Sequence, residues 1–222
     1  MGTRKDRIFG GRPVLEFADG HDRRSFLRNA ALIGVGLTYV ATQKGDPVAF
    51  GTADRGFTSS QAAASDLDIL NYALTLEYLE SAFYVEGLKA NLVKGRELEL
   101  LDPIQQHEAD HVNVVRTTIT DLGGKPVAKP KVQFPAGTFS NRANFLKTAA
   151  TFEELGVKAY HGQVTLVKNP DLLAAAASIA GVESRHAAII AQISGGNPFP
   201  APIEANLPMG AVLKAAMPFL AK

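Results

Sequence analysis

Two segments of this chain carry a glutamate three residues ahead of a histidine: Glu108 and His111 in HEADH, and Glu183 and His186 in VESRH. Residues i and i+3 lie on the same side of an α-helix. Two other segments pair a glutamate with a tyrosine seven residues on, two helical turns away: Glu77 with Tyr84, and Glu153 with Tyr160. The motifs are in register. Glu77 and Glu153 are 76 residues apart, as are Tyr84 and Tyr160, while Glu108 and Glu183 are 75 apart, as are His111 and His186. The chain therefore holds two similar halves, each an E-x6-Y segment followed by an E-x-x-H segment. Packed about a pseudo-two-fold axis, these halves bring four carboxylates and two imidazoles together. Four carboxylates in one core repel, and most would have to protonate. Two divalent cations would set four positive charges against the four negative ones, with neutral imidazoles completing the shell. That is the ligand set of a di-metal carboxylate bundle.

Each motif alone says little. One E-x-x-H is most often a solvated helix face, and a tyrosine at helical spacing is most often core. The shared register singles them out. The alternative is a degenerate bundle whose polar set is merely hydrogen-bonded. Register also sorts the rivals: Glu153 rather than Glu154, and Glu77 rather than Glu80, which is expected to support the ligands or to be a solvated acid. His107 and Asp110 flank the second-helix motif and are expected to point elsewhere. His161, without a partner in the pattern, is expected to be partly exposed, and Arg185 to face outward. The chain has no cysteine. Disulfides, thiolate sites and thiol catalysis are excluded, so any metal is held by His and carboxylate. Hard oxygen and imidazole ligands suit iron and manganese equally.

These side chains need long helices to position them. Helical patterns run over about Ser65–Leu92, Glu97–Leu122, Ser140–Lys168 and Pro170–Ile193. Ser65 with Asp68 three residues on is a capping-box-like start. Asp102-Pro103 is expected to start or kink the main body of the second helix. Gly123-Gly124 stops that helix, and Asn169 caps Pro170 at a helix N-terminus. A long connection with several prolines joins helices two and three. After a Pro-rich tail, a short terminal helix is expected over about Ala211–Leu220. No alternating strand pattern is present. The fold class is all-α: an antiparallel four-helix bundle with a long helix 2–3 connection and a short C-terminal helix. Hydrophobic content of 46% and a net charge of +1 suit one ordinary domain, with no basic stripe for nucleic acid.

The N-terminal part reads as an address. Arg23 and Arg24 are followed by Ser25, Phe26, Leu27 and Arg28, then by a moderately apolar run from Ala30 to Ala41. This resembles a twin-arginine export signal. The run is about 12 residues, short of the roughly 20 that span a bilayer. Residues 1–41 are expected to be this signal, either cleaved or kept as an anchor. Residues 42–65 read as a linker, and 66–222 as the bundle with its tail.

From about Ser65 to Leu220 the sequence resembles bacterial ferritin-like domain proteins related to plant desiccation-related proteins. The likeness rests on DLDILNYALTLEYLESAFYVEGL, HEADH, FLKTAATFEELGVKAYHG, AAASIAGVESRHAAII and AAMPFL. It implies that Glu77 and Glu153 are terminal carboxylates, that Glu108 and Glu183 bridge two metals, and that His111 and His186 each cap one. It implies that Tyr84 and Tyr160 hydrogen-bond across the site to ligand carboxylates. The implied cofactors are two Fe or Mn ions, and the implied chemistry is redox work on O2 or peroxide in stress protection. The alternative is a non-enzymatic metal binder or a structural part of a cell-envelope assembly. The implied partners are the twin-arginine export machinery and further copies of the chain or an envelope complex. The implied location is the periplasm or cell envelope. The Pro-rich tail after Phe199 argues against a storage cage.

Overall fold

The computed structural model describes residues 64–221. The export-signal reading, including Arg23 and Arg24, and nearly all of the linker lie outside them. The described residues form four long helices: α1 (Asp66–Lys89), α2 (Arg96–Asp121), α3 (Arg142–Gln163) and α4 (Pro170–Ser194). A short α5 (Met209–Ala216) follows, and Pro218 turns the chain into a 3₁₀ turn over Met217–Phe219. Among the described residues there is no strand, only one isolated bridge between Val132 and Leu220. None of their helices is long and apolar enough to cross a membrane. The all-α bundle expected from the sequence is the fold observed.

Local chemistry sets most helix ends. Ser65 Oγ accepts from the Asp68 amide at 3.1 Å, and Asp68 Oδ2 accepts from the Ser65 amide at 2.9 Å, a complete capping box. Asn169 caps α4 by accepting from the Asp171 amide at 2.9 Å. Gly195 ends α4 with φ 78°, a left-handed conformation that glycine adopts without Cβ strain. α3 is shorter than its sequence pattern. It opens after the cap Asn141 and ends at Gln163, whose carbonyl accepts turn bonds from Leu166 and Val167. Pro103 neither starts nor ends α2 but lies inside it.

α1 packs chiefly on α2, and α3 on α4, each pair joined by a short turn. The main core is aromatic. Phe83 is fully buried, with the rings of Tyr84, Phe134, Phe139, Phe145 and Phe152 all 5.0–5.6 Å from its own. Phe134 and Phe139 come from the α2–α3 connection, so that loop is part of the core. Gly87 makes room for Phe145: a Cβ there would stand 2.1 Å from the ring. The tail covers α3. Leu207 donates to the Lys158 carbonyl at 3.1 Å, and Phe219 meets Phe152 at 4.6 Å.

Candidate metal centre

The four helices bring the six residues of the repeat into one buried cluster. Glu77, Glu108, Glu153 and Glu183 are fully buried, and His111 and His186 are 8% and 3% exposed. Their ligand atoms form two groups, each within 4.8 Å: Glu77, Glu108, His111 and Glu183, and Glu108, Glu153, Glu183 and His186. Glu108 and Glu183 are common to both groups. Glu77 and Glu153 each belong to one, as do the two histidines. Both imidazoles turn Nδ1 inward. His111 Nδ1 is 3.0 Å from Glu183, 3.4 Å from Glu77 and 3.6 Å from Glu108. His186 Nδ1 is 2.9 Å from Glu108 and 3.4 Å from Glu153.

These approaches are close, yet none has the alignment of a hydrogen bond. Eight buried atoms of the six residues have no hydrogen-bond partner: Glu77 Oε2, both oxygens of Glu108 and Glu183, Glu153 Oε2, and Nδ1 of His111 and His186. Leaving one buried polar group unpaired costs about 1–3 kcal/mol, and more for a charged one. Atoms that aim at common points instead of at one another are what a bound cation satisfies. Carboxylate oxygen and imidazole nitrogen suit hard and borderline divalent cations. The residues present therefore fit a metal.

The remaining oxygens of the outer carboxylates are held across the pseudo-two-fold. Tyr84 of α1 donates to Glu153 of α3, and Tyr160 of α3 donates to Glu77 of α1. Each tyrosine crosses to the other half, so neither serves the glutamate of its own motif.

Without a cation the protons carry the charge balance. Burial pushes Glu77 up to about 7 and raises Glu153, while Glu183 rises well above the ordinary carboxylate range. Burial also pushes Glu108 up, but the two inward imidazoles outweigh it and hold Glu108 near 2. Burial opposes charging of His186, yet Glu108 and Glu153 raise it to about 10, and Glu108, Glu183 and Glu77 raise His111 strongly. These directions favour imidazolium and protonated carboxyl groups in the metal-free cluster.

One residue departs from expectation, and for Glu80 only one of two alternatives stands. His107 was expected to point elsewhere on α2, but its Nδ1 lies 3.0 Å from His186 Nε2, with the rings stacked 5.2 Å apart. Its helix position is set one residue from Glu108, and the neighbouring helix that it meets there is α4. If His186 offers Nδ1 as a lone pair, its Nε2 carries the proton and donates to His107. Glu80 is no solvated acid. It is 4% exposed, and burial together with the charges of Glu183, Glu108, Glu153 and Glu77 raises it well above the carboxylate range. It belongs to neither ligand group. Four other expectations concern the surface. Glu154 pairs with Lys158 at 2.8 Å, Asp110 and Arg185 are exposed, and His161 is half-buried with Nδ1 2.8 Å from the Val157 carbonyl.

No curated protein matches the chain in sequence. Residues 65–196 match the family model of the ferritin-like domain. That match spans α1 to α4 and more than half of the chain, so this protein belongs to the ferritin-like domain family.

Proposed function

We propose that the protein is an exported di-metal protein, with Glu77 and Glu153 as outer carboxylates, Glu108 and Glu183 as bridges, and His111 and His186 as caps. The observation that carries this reading is the convergence of eight unpartnered buried ligand atoms on two shared points. Two Fe or Mn ions, when bound, would supply paired electron transfer to O2 or peroxide. The chain's own residues bind, orient and exclude water. Tyr84 and Tyr160 hold one oxygen of each outer carboxylate.

Elemental analysis of the purified full chain tests the site. The native protein is expected to hold about two Fe or Mn per chain, and a Glu108→Ala, Glu183→Ala double variant almost none. A native protein that folds but takes up neither metal would sink the proposal. Complete burial of all four carboxylates favours a second reading, in which the metals only staple the bundle. Loaded protein that turns over neither peroxide nor O2 would select that reading.

Export rests on Arg23-Arg24-Ser25-Phe26-Leu27-Arg28 and the apolar run behind it. An Arg23→Lys, Arg24→Lys variant is expected to stay in the cytoplasm while the native chain reaches the envelope. Equal distribution by cell fractionation would remove export from the proposal.

A further inference from the structure

The two histidines of the cluster differ on their outer sides. Each turns Nδ1 inward, which leaves Nε2 as the outer nitrogen. His186 Nε2 lies 3.0 Å from His107 Nδ1, so that α4 is tied to α2 across the two halves of the chain. This contact has hydrogen-bond geometry, whereas the inward nitrogens of both histidines have no hydrogen-bond partner. His107 itself belongs to neither ligand group. Its counterpart in the other half is Val182, whose side chain has no acceptor to offer His111.

The contact fixes a tautomer. Two ring nitrogens within hydrogen-bond distance share one proton, so one donates and the other accepts. A cation at Nδ1 of a neutral imidazole leaves the proton on Nε2, so His186 donates and His107 accepts. Such a partner holds the ring in its ligating orientation and makes the inward nitrogen a better electron donor. His186 serves the group with Glu108, Glu153 and Glu183, and His111 the group with Glu77, Glu108 and Glu183. The outer hydrogen bond therefore favours one group over the other.

We propose that His107 is a positioning residue that locks His186 as an Nδ1 ligand and makes the two metal positions unequal, the one capped by His186 filling first. This inference rests on the proposed metal site and adds an order of filling to it.

Magnetic resonance of the histidine rings in the chelated full chain, followed as Zn(II) is added, tests this. Zn(II) is a diamagnetic probe that takes imidazole and carboxylate ligands. In the native chain the His186 signals are expected to shift within the first equivalent, with the ring proton on Nε2, and those of His111 within the second. His107→Phe keeps a ring beside His186 but offers no acceptor. It is expected to lose the order of filling and to weaken the first binding step about tenfold, since removing an outer partner of a ligand costs roughly 10–100-fold in metal affinity. His107→Asn returns an amide oxygen to nearly the place of Nδ1 and is expected to restore both. A merely structural role would not separate Asn from Phe in this way. His107 is exposed, so both variants are expected to fold, which thermal melts check. The order of filling in the native chain tests the inference without any variant. The inference is overturned if the native chain fills both positions together or fills that of His111 first. It is also overturned if folded His107→Phe keeps the native order, or if His107→Asn behaves as His107→Phe does. Each of these outcomes leaves the metal reading standing. A native chain that takes up no Zn(II) overturns both, because such ligands hold Zn(II) more tightly than Fe(II) or Mn(II).

Discussion

Glu80 and Gly156 occupy equivalent positions in the two halves, 76 residues apart, and there the pseudo-symmetry breaks. A Cβ on residue 156 would stand 3.0 Å from Glu80 Oε1 and 3.1 Å from Glu183 Oε2. The glycine leaves the space that a fifth carboxyl group fills. Burial and the neighbouring carboxylates raise Glu80 well above the ordinary carboxylate range, which favours its neutral form. A glutamine has nearly the shape of a protonated glutamate. Glu80→Gln is therefore expected to keep about two metals per chain and to change metal-free stability by less than about 1 kcal/mol. Elemental analysis and thermal melting check this. Loss of one metal would make Glu80 a ligand instead of a neighbour of ligands. His107 breaks the symmetry too, since Val182 stands at its position in the other half. Only one of the two cluster histidines, His186, thereby meets a second imidazole.

At the scale of elements, α5 and the tail have no counterpart in the other half of the chain. They dock on α3 where Gly162 lets them approach. A Cβ at 162 would lie 1.9 Å from the Leu207 carbonyl oxygen, a backbone atom that cannot swing aside. Gly162→Ala is expected to lift the tail, break the Leu207–Lys158 backbone bond, and destabilise the protein by about 1–3 kcal/mol. Hydrogen exchange at the Leu207 amide would speed up, while metal content would hold, because the tail supplies none of the six residues. An unchanged exchange rate would mean that the tail docks without that bond. Another tie sits at the opposite end of α3. Arg142 donates from Nε to both carboxylate oxygens of Glu97, at 2.9 and 3.0 Å, and from Nη2 to the Ile193 carbonyl at 2.7 Å. It links the starts of α2 and α3 to the last turn of α4.

For the whole molecule, the buried cluster sets how stability responds to pH. Glu77 moves from 4.5 unfolded to about 7 folded, so between these values the folded chain holds the extra proton and rising pH favours unfolding. His186 moves from 6.5 to about 10, and its contribution is present below 6.5 and lost as pH rises through 10. Glu108 acts in the opposite direction: its contribution is present above 4.5 and lost as pH falls toward 2. Metal-free protein is expected to be most stable near pH 4.5–5 and to weaken steadily toward pH 10. Metal-loaded protein is expected to show the reverse slope across the neutral range, because metal binding requires deprotonated ligands and stabilises the fold by mass action. Melting temperatures of chelated and loaded protein from pH 5 to 9 separate the two cases. Parallel slopes would mean that the cluster does not exchange protons for metal.

The residues of the cluster were legible in the chain because helical spacing is a one-dimensional property. Two turns or three residues put side chains on one face, and the repeat offset says that two faces match. The capping box at Ser65, the Asn169-Pro170 start and the Gly195 stop were legible for the same reason: each acts within a few residues. Tertiary packing decided the rest. His107 lies off the ligand face of its own helix, so only the approach of α4 brings it to His186. Glu80 carries the same spacing whether solvated or buried, and it is Gly156 on another helix that makes room for it. Pro103 reads locally as a start or a kink, and α2 runs through it, with Leu101 and Ile104 buried on either side. Gln163 sits at a helix end yet is 2% exposed, which the packing of the other helices decides. Spacing along one helix names the groups that share its face. Which groups lose their water depends on what the other helices bring, and distance along the chain does not encode that.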